Sequence, residues 1–382
     1  MEGIMWIVVP AIFLLSLGFS VLVNYLLLRF SRNFGVRNLS KSEEIRWSAV
    51  RKPALGGISF FISFLLALSV GGILQSPVAD QLNLKMLGVA GACSLGFLLG
   101  LADDAYNTNP LVKLIGQLSC SFILISTNIY IHATGFLPVD FVITTLWIIG
   151  MMNSINMLDN MDAISTTQAA IILIGILLVT SLNGTLTIDM MVLMVGVLGG
   201  LIGFLFFNWN PSKMYMGDTG SMFLGVFLAA MSMNSIWNER LPEGGILQIR
   251  QFVIPLLIFL VPLIDTTTVT FRRLMRKQSP FVGGKDHITH HLAYNGFKDK
   301  QVALFLIFIA LLSIPVVVLV YIPLIEWSIW YSLACIIYAI LMFIGFQIMY
   351  NRGARIKKIM DDRRAKFGAD AKIPRIRKIS GH

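Results

Sequence analysis

Five polar clusters interrupt a mostly apolar chain, and each contains groups able to do chemistry. Asp103 and Asp104 stand in LADDAYNTNPLVKLIGQ, and Asn153, Asn156, Asp159 and Asp162 in NSINMLDNMDAIS. Asp218 lies in FNWNPSKMYMGDTGSMFLG and Asp265 in PLIDTTTVTFRR, and His287, His290 and His291 fall in SPFVGGKDHITHHL. Carboxylates and amides are hard oxygen donors, so the set suits Mg2+, with Mn2+ as the alternative. Zinc would want a cysteine or a fixed fourth ligand beside the histidines, and none is near. The three cysteines, Cys93, Cys120 and Cys335, lie inside apolar runs and give neither a metal spacing nor a disulfide framework. Asp218, between Gly217 and Thr219-Gly220, sits on a tight turn beside a helix start, where a cation and the phosphates it carries can be held.

Each cluster also has a plainer reading. Asp218 could be an N-cap, the Asp103-Asp104 pair could simply stop a helix, and Asp265 could pair with Arg272 or Arg273. On a helix Asn156, Asp159 and Asn160 share one face by their i, i+3, i+4 spacing, and Asn153 and Asp162 would extend it to about three turns. His287 and His291 would face the same way by the same rule. Acids at membrane depth are costly and usually mark function, which favours the chemical readings taken together.

The elements that position these groups are apolar helices. Of the 382 residues, 56% are hydrophobic and 13% charged, and mean hydropathy is +0.77; soluble domains carry roughly 25% charged residues. Runs long enough to span a bilayer fall near 3–29, 54–75, 85–102, 112–131, 137–155, 163–182, 188–207, 220–236, 251–271, 301–323 and 327–350. The expected fold is an all-α polytopic membrane protein of about eleven spans. The first run lacks a basic leader and a cleavage site and is expected to be retained. One set of alternate connections holds 27 of the 30 lysines and arginines. By the positive-inside rule this set is cytoplasmic, with the N-terminus outside and the C-terminus inside. All five clusters then face the cytoplasm, and the charge of +10 reflects basic loops rather than a nucleic-acid partner. Residues 1–350 form the membrane domain and 351–382 a basic cytoplasmic tail attracted to anionic headgroups. Gly96 and Gly100, and Gly196, Gly199, Gly200 and Gly203, have the small-residue spacing that brings helices close in lipid. Clustered acids ringed by basic loops on one face suit metal-assisted phosphoryl transfer to a lipid at the membrane surface.

Five ordered motifs, KPALGG, LADDAYNTNPLVKLIGQ, NSINMLDNMDAIS, FNWNPSKMYMGDTGSMFLG and SPFVGGKDHITHHL, span about residues 45–295. In these the chain resembles the polyprenyl-phosphate N-acetylhexosamine-1-phosphate transferases, bacterial membrane enzymes related to the phospho-MurNAc-pentapeptide transferase. The resemblance implies that undecaprenyl phosphate attacks a UDP-N-acetylhexosamine, releasing UMP on the cytoplasmic face of the inner membrane, with Mg2+ bridging the diphosphate. It implies Asp218 as principal metal ligand with Asp159 beside it. Asp103 would deprotonate or position the lipid phosphate, supported by Asp104. Lys113, Asn156, Asp162, His287, His290 and His291 would bind substrate. A homodimer is compatible with the sequence but not specified by it.

Two departures bear on the sugar. The family pattern DGxDG reads Asp159-Asn160-Met161-Asp162-Ala163 here, keeping both acids and losing both glycines, and HIHH reads HITHH, with Thr289 in the middle. The uninterrupted His triplet of the peptidoglycan enzyme is absent, which argues for a GlcNAc-type sugar in cell-surface polysaccharide synthesis. The alternatives are a transferase-like scaffold without activity, kept open by the missing glycines, and a secondary transporter, disfavoured because its ionisable groups would lie near the midplane.

Overall fold

The computed structural model describes residues 2–33, 52–74, 84–182, 184–238, 249–279, 283–321 and 329–367. Among them are thirteen α-helices and no strand beyond one isolated bridge. The first six are α1 (Glu2–Asn33), α2 (Gly57–Leu74), α3 (Leu84–Tyr106), α4 (Pro110–Ser126), α5 (Leu137–Leu158) and α6 (Ile164–Leu182). Then come α7 (Ile188–Asn208), α8 (Gly217–Ser232), α9 (Ile249–Ile258) and α10 (Leu260–Met275). The last are α11 (Ile288–Tyr294), α12 (Asp299–Tyr321) and α13 (Ile329–Phe367). Eight of the described helices are long and apolar enough to cross a membrane, or nine if α9 and α10 form one bent span, and α2 and α4 are shorter apolar helices. The protein is an all-α polytopic membrane protein, and helix occupies most of the described part of each expected apolar run.

The helix at the centre is α8. It is buried from Thr219 to Ser232, and Phe223 and Phe227 sit among Phe60, Phe61 and Phe64 of α2, at centroid distances of 5.3 to 6.0 Å. Such aromatic pairs add to the packing beyond the area they bury. At Gly100 on α3 a Cβ would collide with the backbone carbonyl of Asp218. That glycine lets α3 lie directly against the start of α8, as the GxxxG spacing predicts.

Local signals explain several boundaries. α4 starts at Asn109-Pro110: the Asn109 side chain accepts from Leu111 N at 3.0 Å and proline occupies the first turn, where its missing N–H costs nothing. Between α9 and α10 the chain bends by 84°. Pro262 lies four residues after Ile258 and has no N–H for its carbonyl, so the helix breaks there.

One expectation about extent is corrected. The polar face of α5 does not continue to Asp162: the helix ends at Leu158 and residues 159–163 form a turn. The end of that turn is Ala163 at φ +65°, a left-handed conformation that no helix continues through. Helix also continues past 350 into the basic residues that follow. α13 is one helix of 39 residues, about 58 Å long at 1.5 Å per residue, far beyond the ~30 Å of a hydrocarbon core. The rest of the expected tail, 368–382, lies outside the described residues, as does most of the basic connection 29–53.

Candidate active site

Asp218 opens α8, and its turn is built from three directions. Gly217 has φ +74°, and a Cβ there would meet Asp104 Oδ2 at 2.6 Å and Ala54 O at 2.9 Å, so the position needs glycine. Residues 53–57 of the KPALGG segment lie alongside: Tyr215 N donates to Pro53 O, Gly56 N to Tyr215 O and Gly57 N to Met216 O, each at 3.0 Å. From α3, the Asp104 carboxylate accepts Asp218 N (3.0 Å), Thr219 N (2.9 Å) and Thr219 Oγ1 (2.6 Å). The first N–H groups of a helix have no partner within it, and here a carboxylate from another helix supplies one. Asp104 thereby fixes the direction of α8.

Asp218 itself stays available. Its side chain is 31% exposed. One oxygen accepts from Asn156 Nδ2 at 2.9 Å, and that amide also reaches Ser221 Oγ at 2.9 Å. The other faces Lys113 Nζ at 3.3 Å. Lys113, in the first turn of α4, also contacts Asp103 Oδ2, so one ammonium joins two carboxylates. Asp103 is enclosed, its side chain only 5% exposed. Its Oδ1 accepts Thr108 N at 2.8 Å and Thr108 Oγ1 at 2.7 Å, which ties the α3–α4 turn back to α3. The amides of Gln117 and Asn153 bond reciprocally at 3.2 Å and hold α4 to α5 beneath this group.

Asp162 belongs to a neighbouring cluster. It accepts Ser212 Oγ (2.7 Å), Ser212 N (3.0 Å), Asn210 Nδ2 (2.9 Å) and Lys52 Nζ (3.3 Å). The Lys52 ammonium also lies 5.0 Å from the Tyr215 ring centre, within cation–π range. Asn208 ties the same two connections together: its Oδ1 accepts Ala163 N (3.1 Å) and Thr166 Oγ1 (2.7 Å), and its Nδ2 donates to Met214 O (3.0 Å). Asp159 caps the C-terminus of α5, its N–H donating to Asn156 O at 3.2 Å.

The histidine cluster is anchored by Asp265 of α10. His287 Nδ1 lies 2.8 Å from Asp265 Oδ2, and Ile288 N donates to Asp265 Oδ1 at 2.8 Å, so this carboxylate starts α11 as Asp104 starts α8. The basic residues considered for Asp265 are engaged elsewhere. Arg273 grips Asp286 through two hydrogen bonds of 2.7 and 2.9 Å, and Arg272 reaches Gln347 and Asn351. Burial works to raise the Asp286 carboxyl, but the Arg273 bonds and charge outweigh it and hold it below the ordinary carboxylate range. His287 turns towards α10 and His291 towards α13, where its ring lies tilted against Tyr350 at 3.8 Å between centroids, so the two do not share a face. Burial, with the neighbouring His287, pulls His290 down to about 2; burial, with Lys357 nearby, pulls His291 to about 4. Both rings are neutral at pH 7. Thr289 Oγ1 donates to Asn160 Oδ1 at 2.6 Å, so the two departures from the family pattern contact each other.

The structure thus gathers Asp103, Asp104, Lys113, Asn156 and Asp218 at one point. Asp162 and the histidines sit in adjoining clusters linked through residues 159–163 and 209–217. Lys52, Thr108, Asn208, Ser212 and Thr219 were not singled out as site residues from sequence, although all five fall within the quoted motifs; their partners lie up to 160 residues away. Among the described residues no three His, Cys, Asp or Glu side chains converge as a metal cage. The open donors, the Asp218 carboxylate and the Asn156 amide oxygen, are all oxygen. That fits Mg2+ held by one or two carboxylates with substrate phosphates completing its shell, the usual arrangement for this ion.

A profile of glycosyl transferase family 4 matches residues 86–236, from within α3 to just past the end of α8. The chain is 30% identical to a probable undecaprenyl-phosphate N-acetylglucosaminyl 1-phosphate transferase of Bacillus subtilis (strain 168), covering 70% of this chain and 73% of that protein. It is 26% identical to a decaprenyl-phosphate N-acetylglucosaminephosphotransferase of Mycobacterium leprae (strain TN), covering 66% and 69%. To a phospho-N-acetylmuramoyl-pentapeptide-transferase of Streptococcus sanguinis (strain SK36) it is 30% identical over 48% of this chain and 59% of the other.

Proposed function

We propose that this chain, which belongs to glycosyl transferase family 4, transfers N-acetylglucosamine 1-phosphate from UDP-N-acetylglucosamine to undecaprenyl phosphate. A lipid phosphate oxygen forms a bond to the sugar-linked phosphorus. The bond to the UMP oxygen breaks, and UMP leaves with the electron pair. The reaction faces the cytoplasm, as the placement of the basic connections supports, and begins a cell-surface polysaccharide.

The observation that carries this reading is the meeting of Asp218, Lys113 and Asp103 at one ammonium, in a chain similar to transferases of this kind. Asp218 would hold Mg2+, with Asp159, at the end of α5, as a second carboxylate. When bound, the ion neutralises the diphosphate and stabilises charge in the in-line displacement. Lys113 supplies the local positive charge for phosphate oxygens. Asp103, enclosed and held by Thr108, aims Lys113, and its role is positioning more than proton abstraction. Asp104 acts through Thr219 and the Asp218 backbone. Asn156 orients the Asp218 carboxylate. Asp162, with Lys52 and Ser212, shapes the nucleotide side, and His287 and His290 approach the diphosphate or sugar.

The test is a membrane preparation of the protein with undecaprenyl phosphate, Mg2+ and a panel of UDP-N-acetyl sugars, scored by UMP release. Release with UDP-N-acetylglucosamine, and a matching lipid-linked sugar phosphate, is expected. Sugar uptake without UMP would identify a transporter, and no reaction with any sugar would identify a scaffold.

A further inference from the structure

α11 spans seven residues, about 10 Å of helix, and isolated helices of that length are not stable in water. Its orientation comes from what it packs on. On one flank Asp265 holds His287 and Ile288 N, and Asn160 holds Thr289. The other flank rests on α13, at and just beyond the end of the stretch first read as span. At Gly353 a Cβ would collide with the His291 carbonyl oxygen and lie 2.9 Å from the His291 Cβ. The obstacle is backbone, so α11 itself would have to move. The His291 ring lies on the Tyr350 ring, and its buried Nδ1 has no hydrogen-bond partner among the described residues, so packing sets its place. Arg272 covers Tyr350 at 4.0 Å while bonding Gln347 and Asn351. At the far end of α11, Asn295 Nδ2 donates to Met349 O at 2.7 Å and Lys357 lies over Tyr294 at 5.6 Å.

We propose that residues 347–357 of α13 are a clamp that sets the position of α11, and that Tyr350 and Gly353 are positioning residues for His287 and His290 in the transferase site. This rests on the proposed function for what the histidines do, and on geometry alone for the clamp. Residues 351–357 are then part of the enzyme's framework rather than a free basic tail. Displacing α11 loosens the grip on the sugar-nucleotide and leaves the lipid site, built on α3, α4 and α8, in place.

The experiment compares Gly353→Val and Tyr350→Leu with two controls in the full-length protein in detergent. Gly345→Val lies on the same helix, where a Cβ meets nothing within 4 Å, and Tyr350→Phe keeps the ring. Hydrogen exchange of residues 288–294 and steady-state UMP release are both measured. In Gly353→Val and Tyr350→Leu the α11 amides exchange about tenfold faster. In the same two variants KM for UDP-N-acetylglucosamine rises roughly fivefold or more while KM for undecaprenyl phosphate holds. Both controls match wild type. Unchanged α11 exchange in Tyr350→Leu overturns the clamp, and faster exchange with unchanged kinetics overturns the positioning role of Tyr350 and Gly353. If Gly353→Val does not fold, the Tyr350 pair decides. If wild type releases no UMP, the proposed function fails, while exchange still decides whether α13 holds α11.

Discussion

Thr219 gives both its backbone N–H and its hydroxyl to Asp104, at 2.9 and 2.6 Å, so a carboxylate on α3 sets the first turn of α8. Asp218 immediately precedes Thr219, and its aim depends on this contact. Asp104→Asn replaces one acceptor oxygen by a donor that faces another donor. The expected result is kcat lowered by about 10–100-fold, the usual effect of losing a group that orients a ligand. Thr219→Val, which loses only the hydroxyl bond, costs about 1 kcal/mol of stability, and Thr219→Ser keeps the bond and stays near wild type. Thermal unfolding and UMP release on the three variants check this.

Lys113 neutralises two carboxylates at once. Lys113→Gln leaves Asp103 and Asp218 facing each other without a cation and removes the charge offered to phosphate. Single-turnover transfer is expected to fall by on the order of 10²–10³, the range for losing one stabilising donor. Lys113→Arg recovers part of the rate.

Ala163 holds a backbone conformation that glycine adopts without cost. Its φ of +65° costs an L-residue roughly 1–2 kcal/mol. Ala163→Gly should therefore stabilise the protein by about 1 kcal/mol after the entropy that glycine loses, a rise of roughly 1–2 °C in Tm for a chain of this size. Activity is expected to be unchanged, and a fall in Tm would contradict the strain.

His291 makes stability depend on pH. Burial lowers it to about 4 from an ordinary value near 6.5, so between these values the unfolded chain binds a proton that the folded one does not. Stability is full above pH ~6.5 and falls as pH drops towards ~4. His290, lower still, adds to the same loss. The slope of Tm against pH in this window should be shallower in His291→Gln than in wild type.

Much of this was legible in the sequence. Apolar runs of span length located the helices, because a bilayer leaves few other ways to satisfy backbone. The Gly96 and Gly100 spacing marked α3 for close helix packing, though not α8 as its partner. What stayed hidden depends on distant contacts. Nothing local to Asp162 announces Ser212 or Lys52, 50 and 110 residues away, nor Asp104 as the cap of a helix that starts at Gly217. The turn at 159–163 was read as helix because its polar spacing suits one; the left-handed Ala163 ends it. The basic residues after Tyr350 looked like a solvated tail, because no sequence period shows that Gly353 lies against α11.

The most direct measurement is Mg2+-dependent UMP release from UDP-N-acetylglucosamine and undecaprenyl phosphate by wild type and Asp218→Asn at equal amounts of folded protein. Wild type should yield UMP and lipid-linked sugar phosphate in equal amounts, and the variant should lose on the order of 10³ in rate or more. Near-normal turnover by Asp218→Asn at saturating Mg2+ would contradict the assignment of this carboxylate and the site built around it.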